Sequence, residues 1–121
     1  MKKDDSVYLH HIIDAFVQIE HYTEGVSHEE FLHNRLIQDG VIRQLEVMGE
    51  AARNLSGDLR NEYPQIPWSQ MIGLRNRMIH AYFNVDLQII WEIVHGDMPV
   101  LKQNMQCILD AVIEGSSLEY Q

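Results

Sequence analysis

The run Arg75-Asn76-Arg77-Met78-Ile79-His80-Ala81-Tyr82 puts two guanidinium groups, an imidazole and a phenol within eight residues. Metal-independent cleavage of RNA needs three things: a group to take the 2′-hydroxyl proton, a group to protonate the leaving oxygen, and a cation facing the charge that builds on phosphorus. An imidazole, with an unperturbed pKa of about 6.5, serves either proton transfer. A guanidinium offers a planar fork of donors to the non-bridging oxygens, strongest where water is excluded. Arg75 and His80 are the candidate catalytic pair. Asn76 is a candidate accessory polar group, and Tyr82 a candidate stacking platform, hydrogen-bond donor or modification site.

Helical geometry constrains these roles. At about 100° per residue, Met71, Ile72, Leu74, Met78 and Ile79 form one apolar arc, with Arg75 in its middle and Tyr82 nearly above Arg75 two turns on. A cation in an apolar stripe is costly unless it is paired or used. Residues five apart stand about 140° apart on a helix, so Arg75 and His80 do not share a face. They converge only if the helix distorts near its end, or across a two-fold dimer. Asn76 and His80 do share a face, so Asn76 could orient the imidazole or a phosphate. The plainer alternative is a surface histidine at a helix end, favoured there by the helix dipole. Tyr82 is then an interface aromatic, and Arg77 a solvated cation.

The remaining chemistry-bearing residues say less. His28 and His33 are five apart rather than four and cannot chelate zinc from one helix face; Glu29 with His33 would be a weak pair. His10, His11, His21 and His95 show no interpretable spacing. Glu46 and Glu50, flanked by Arg43 and Arg53, read as helix-surface charge pairs. Cys107, the single cysteine, excludes an intramolecular disulfide and a multi-cysteine zinc site, and its apolar setting predicts a small buried side chain. No metal or cofactor is expected.

The 121 residues suit one domain, 1–121. A formal net charge of −9 argues against a broad basic surface gripping nucleic acid. It leaves room for a narrow RNA contact, with no DNA partner expected. No apolar run is long enough to span a membrane, and no signal-peptide pattern follows the first residues, so a cytoplasmic protein is expected.

Helical spacing recurs throughout and strand alternation is lacking. The first helix is predicted from about Ser6, its cap, to Tyr22, with Leu9, Ile12, Phe16 and Ile19 inward. A second begins at the Ser27 cap, with Glu30 three residues on, and runs to about Leu55 on a Val41, Leu45, Met48, Ala52, Leu55 seam. Gly49 beside that seam predicts a close helix contact. A short helix follows Ser56-Gly57-Asp58, and Pro67 opens the helix carrying Arg75, which ends near Phe83-Asn84. Leu87 to Val112 form the longest seam. Gly96 and Pro99 interrupt it, predicting a kink or a new helix capped by Asp97. The tail from Gly115 is predicted to fray. The fold class is therefore all-α, an antiparallel bundle of four long helices and one short one.

At this point the chain resembles a known family. Arg75-x4-His80-x-Tyr82 is similar to the signature of HepT-like toxins of the HEPN superfamily. The stretch Arg43-Gln44-Leu45-Glu46-Val47-Met48-Gly49-Glu50-Ala51-Ala52 also resembles that family. So do Pro67-Trp68, the run Gly73 to Phe83, Val85-Asp86 and Trp91, in order and spacing. Ala81 stands where the family commonly has glycine. The resemblance implies a dimeric HEPN-like bundle with the motif of each subunit lining a shared cleft. It implies a metal-independent ribonuclease, the toxin of a type VII toxin–antitoxin pair, acting on RNA, with tRNA one candidate. Arg75 and His80 would carry catalysis. The partner would be a minimal nucleotidyltransferase antitoxin that transfers AMP to Tyr82, placing a bulky anion beside Arg75. The competing readings are a non-catalytic helical module that binds a nucleotide or the nucleotidyltransferase, and a helical dimer whose motif serves packing only.

Overall fold

The computed structural model describes residues 4–81 and 86–119, with side chains for all of these except 80, 81 and 116–119. Every regular element among the described residues is helical. They are α1 (Asp5–Thr23), α2 (His28–His33), α3 (Arg35–Asn54), α4 (Gly57–Glu62), α5 (Trp68–Ala81), α6 (Leu87–Glu92), a π turn (Ile93–Asp97) and α7 (Met98–Glu119). The all-α expectation holds, with more short elements than the periodicity suggests.

The helix ends follow from local hydrogen bonding. The cap of α1 is Asp4 rather than Ser6. Its carboxylate accepts the Ser6 amide at 3.1 Å and the Ser6 hydroxyl at 2.6 Å, so the serine is a donor inside the first turn. These bonds, the hydroxyl's first, hold the Asp4 carboxyl below its usual range. Ser27 caps α2 as expected, accepting the Glu30 amide at 3.1 Å. The single helix expected from Ser27 to Leu55 is instead broken at Asn34. The Asn34 side chain accepts the Ile37 amide at 3.1 Å and starts α3. Asparagine side chains compete with the helical ladder in this way. Across the break, the Gln38 side-chain amide donates to the Phe31 carbonyl at 2.8 Å, while Phe31 itself is buried.

Downstream of α5, no new helix starts at an Asp97 cap. The helix runs on through the π turn, where the Met98 amide reaches back to the Ile93 carbonyl, and α7 follows without a new cap. The wider turn absorbs Gly96 and leads directly into Pro99, which has no N–H to give. Past Gly115, α7 continues as helix to Glu119.

α3 is the central element, packed most extensively on α1 and α5, and α7 covers α1. The predicted seams are the core. Leu9, Ile12, Phe16 and Ile19 of α1 are buried, as are Val41, Leu45, Met48, Ala52 and Leu55 at α3, and Met105 and Ile108 on α7. Cys107 lies outside that core and is exposed, because the buried stripe of α7 runs through its neighbours Met105, Ile108 and Leu109. Two polar ties brace the bundle. Asp5 accepts both the Ser56 amide (2.8 Å) and its hydroxyl (2.7 Å), joining the start of α1 to the start of α4. The Trp68 indole N–H donates to the Tyr63 carbonyl at 2.9 Å and sets where α5 begins. None of the described helices is long and apolar enough to cross a membrane.

Candidate functional site

The position of Arg75 is set by a glycine on another helix. A β-carbon built on Gly49 of α3 would lie 2.8 Å from the Arg75 backbone nitrogen and 3.0 Å from the Met71 carbonyl oxygen. Only the absence of a side chain lets the two backbones come this close. The close contact expected from the sequence is thus present, and it falls at the candidate cation.

The arc around Arg75 is narrower than the periodicity predicts. Met71, Leu74 and Met78 are buried, Ile72 is only partly so, and Ile79 is 39% exposed. The approach at Gly49 centres the buried face on Met71 and Leu74. Arg75 therefore emerges at the margin of the stripe rather than from its middle. Its side chain is about half exposed, and its Nε lies 3.6 Å from Glu50 Oε2. Glu50, read from sequence as a member of local pairs on its own helix, faces Arg75 across the helix contact. Arg43 pairs locally with Glu46 at 3.3 Å.

These groups line a concavity of about 230 Å³. Arg43, Glu46 and Glu50 enter it from α3, Arg75 from α5, and Tyr8 and His11 from α1. The Tyr8 and His11 rings meet edge to face with centroids 6.2 Å apart. Two guanidinium groups and two carboxylates balance, so the cleft carries no formal charge beyond the state of His11. His11 had no interpretable spacing in the sequence, and Tyr8 was not singled out there. They reach Arg75 only through the packing of α1 on α3, which no single-helix pattern encodes.

The other predicted residues divide as follows. Asn76 is exposed on α5 next to Arg75. His80 belongs to the last turn of α5, but its side chain lies outside the described atoms, and Tyr82 lies outside the described residues. Arg77 faces a different concavity with Asp97 and Asn104, so it is separate from the Arg75 cleft. No group of three His, Cys, Asp or Glu among the described residues is arranged to hold a metal ion. His28, weighed above as half of a zinc pair, instead stacks on Trp91 at 5.1 Å, and Trp91 stacks in turn on His95 at 3.8 Å.

Comparison with known proteins places the chain. The family described as Ribonuclease HepT-like matches residues 12–108. A Methanocaldococcus jannaschii protein named "Putative RNase" is 36% identical over 107 residues, which cover 88% of this chain and 98% of that protein. A Thermococcus cleftensis protein named "Probable ribonuclease HepT" is 41% identical over 102 residues, covering 84% and 93% of the two chains. A second Methanocaldococcus jannaschii protein, also named "Putative RNase", is 43% identical over 98 residues, 81% of each. No solved structure matches. The chain belongs to the HepT-like ribonuclease family.

Proposed function

We propose that this protein is a metal-independent ribonuclease and the toxin of a type VII toxin–antitoxin pair. Arg75 and His80 carry catalysis, and Asn76 is an accessory polar group. The observation that carries the reading is Arg75 itself, seated at the edge of a cleft in a chain of this ribonuclease family, with its side chain about half exposed. A phosphodiester at that edge would meet the arginine's donors where they stabilise negative charge on phosphorus.

Two further parts belong to the same reading. The active species is a homodimer in which the α5 ends of both subunits line one cleft. Ile79, exposed and one turn from Arg75, is a fitting apolar contact for such an interface. The partner is a minimal nucleotidyltransferase that silences the enzyme by transferring AMP to Tyr82, adding an anion near the arginine. The net charge of −9 favours a narrow RNA feature over extended duplex. It is also the feature that favours the alternative, a module that binds nucleotide or nucleotidyltransferase without cutting.

The test is incubation of the purified protein with total cellular RNA in EDTA, beside His80→Ala. Discrete fragments from the parent alone support the ribonuclease reading. Nucleotide binding by calorimetry without RNA turnover, from a protein whose intact mass shows no AMP, would replace it with the binding module.

A further inference from the structure

The proposed reaction needs two proton transfers, and the motif supplies one imidazole per chain. Among the described side chains, the imidazole that lines the Arg75 cleft is His11 of α1. We propose, resting on the ribonuclease reading above, that His11 is the general acid of RNA cleavage, protonating the 5′-oxygen that leaves phosphorus.

The charges of the cleft argue for this role. The charged and titratable groups facing His11 are Tyr8 from its own helix, Arg43, Glu46 and Glu50 from α3, and Arg75 from α5. The two arginines are offset by the two glutamates, at 3.3 Å and 3.6 Å. A phosphodiester entering this cleft therefore finds net positive charge only when His11 is protonated. The form of the site that attracts substrate is the imidazolium, and an imidazolium has a proton to give and none to take. His11 is also exposed, so substrate can reach it, and the Tyr8 ring stands edge-on at 6.2 Å to limit where the imidazole lies.

The step balances without a metal or co-reactant. The 2′-oxygen attacks phosphorus as its proton passes to the base, the role this assignment leaves to His80. The phosphorus–O5′ bond breaks as the His11 proton passes to O5′. The products are a 2′,3′-cyclic phosphate and a 5′-hydroxyl. The two histidines end with exchanged protonation states, which water resets.

The experiment compares the parent with His11→Gln and with His10→Gln, a neighbouring exposed histidine about 100° round the helix. Cleavage of an oligoribonucleotide in EDTA is followed across pH, and repeated on the same sequence with sulfur in place of the bridging 5′-oxygen. Sulfur leaves without a proton, so a general acid is dispensable for that substrate. His11→Gln is expected to slow cleavage of the oxygen substrate by about 10²–10⁴-fold, to lose the alkaline limb of the pH profile, and to come within about tenfold of the parent on the sulfur substrate. His10→Gln is expected to match the parent throughout. An active parent matched by His11→Gln overturns the assignment alone. So does an equal loss on both substrates, which would make His11 a binding or packing residue. A parent that cuts neither substrate overturns the ribonuclease reading, and the assignment with it.

Discussion

Two contacts hold the helices that flank residues 82–85, and they are built in opposite ways. On the near side, α5 meets α3 backbone to backbone at Gly49, with no side chain between. On the far side, α6 meets α2 through rings. His28, Trp91 and His95 form one stack, and Phe31 lies 5.4 Å from the indole. Backbone packed against backbone leaves no rotamer to adjust, so the first contact gives Arg75 little latitude in height. Aromatic pairs accept centroid distances over a range of about 4.5–7 Å, so the second contact holds its segment without fixing it so closely. The rigid contact lies under the residue proposed to face phosphate, where small displacements are expensive for catalysis.

The sharpest way to break this contrast is Gly49→Val. Its side chain would collide with the Arg75 nitrogen and the Met71 carbonyl, neither of which can swing aside. A loss of about 3 kcal/mol is expected, with the melting temperature down by about 10 °C. RNA cleavage measured well below the melting temperature should fall as well, because Arg75 is displaced with α5. Trp91→Ala is the counterpart. It should cost about 2–3 kcal/mol through lost stacking and packing, while cleavage below the melting temperature stays near the parent's. If the two variants lose activity in proportion to stability alone, the division between a positioning contact and a tethering contact is wrong.

Smaller effects sharpen the picture. Asp5→Ala removes both acceptors of Ser56 and should cost about 1–2 kcal/mol in chemical denaturation, without touching the cleft. Glu50→Gln should change stability by less than about 0.5 kcal/mol, because the pair with Arg75 is half exposed. It should nonetheless lower KM for RNA, since a competing carboxylate is gone. An unchanged KM would show that phosphate does not approach that side of Arg75. The smallest effect is at Asp4. Its folded-state carboxyl is held below the usual range by Ser6, so its contribution to α1 is present above that range and is lost only as pH falls through the lowered value. Ser6→Ala should make the start of α1 less resistant to hydrogen exchange while leaving the rest of the helix unchanged.

Much of this was legible from residue spacing. The seams of α1 and α3 and the reason for Gly49 follow from three- and four-residue periodicity. What was not legible lies between elements or in competing local chemistry. Asn34 divides a run whose apolar seam alone reads as continuous. The π turn before Pro99 carries the helix past a glycine and a proline that ordinarily break one. Arg75 sits at the margin of its stripe because α3 approaches from one side, which a helical wheel does not show. Glu50 and His11 belong to the Arg75 cleft through tertiary packing, and His28 finds Trp91 across 63 residues of chain. Spacing along one helix carries no signal for any of these three. The Arg75-x4-His80-x-Tyr82 motif was legible as a pattern, and the match over residues 12–108 supplies the family in which that pattern has meaning.

The measurement closest to the central claim is single-turnover cleavage of a defined oligoribonucleotide in EDTA by the parent, Arg75→Ala and Arg75→Lys. Losing the fork of donors at the phosphate should slow Arg75→Ala by about 10²–10³-fold, and a lysine, which lacks the planar fork, should restore only part of that. Folded variants that cleave as fast as the parent would contradict the account and remove Arg75 from the chemistry.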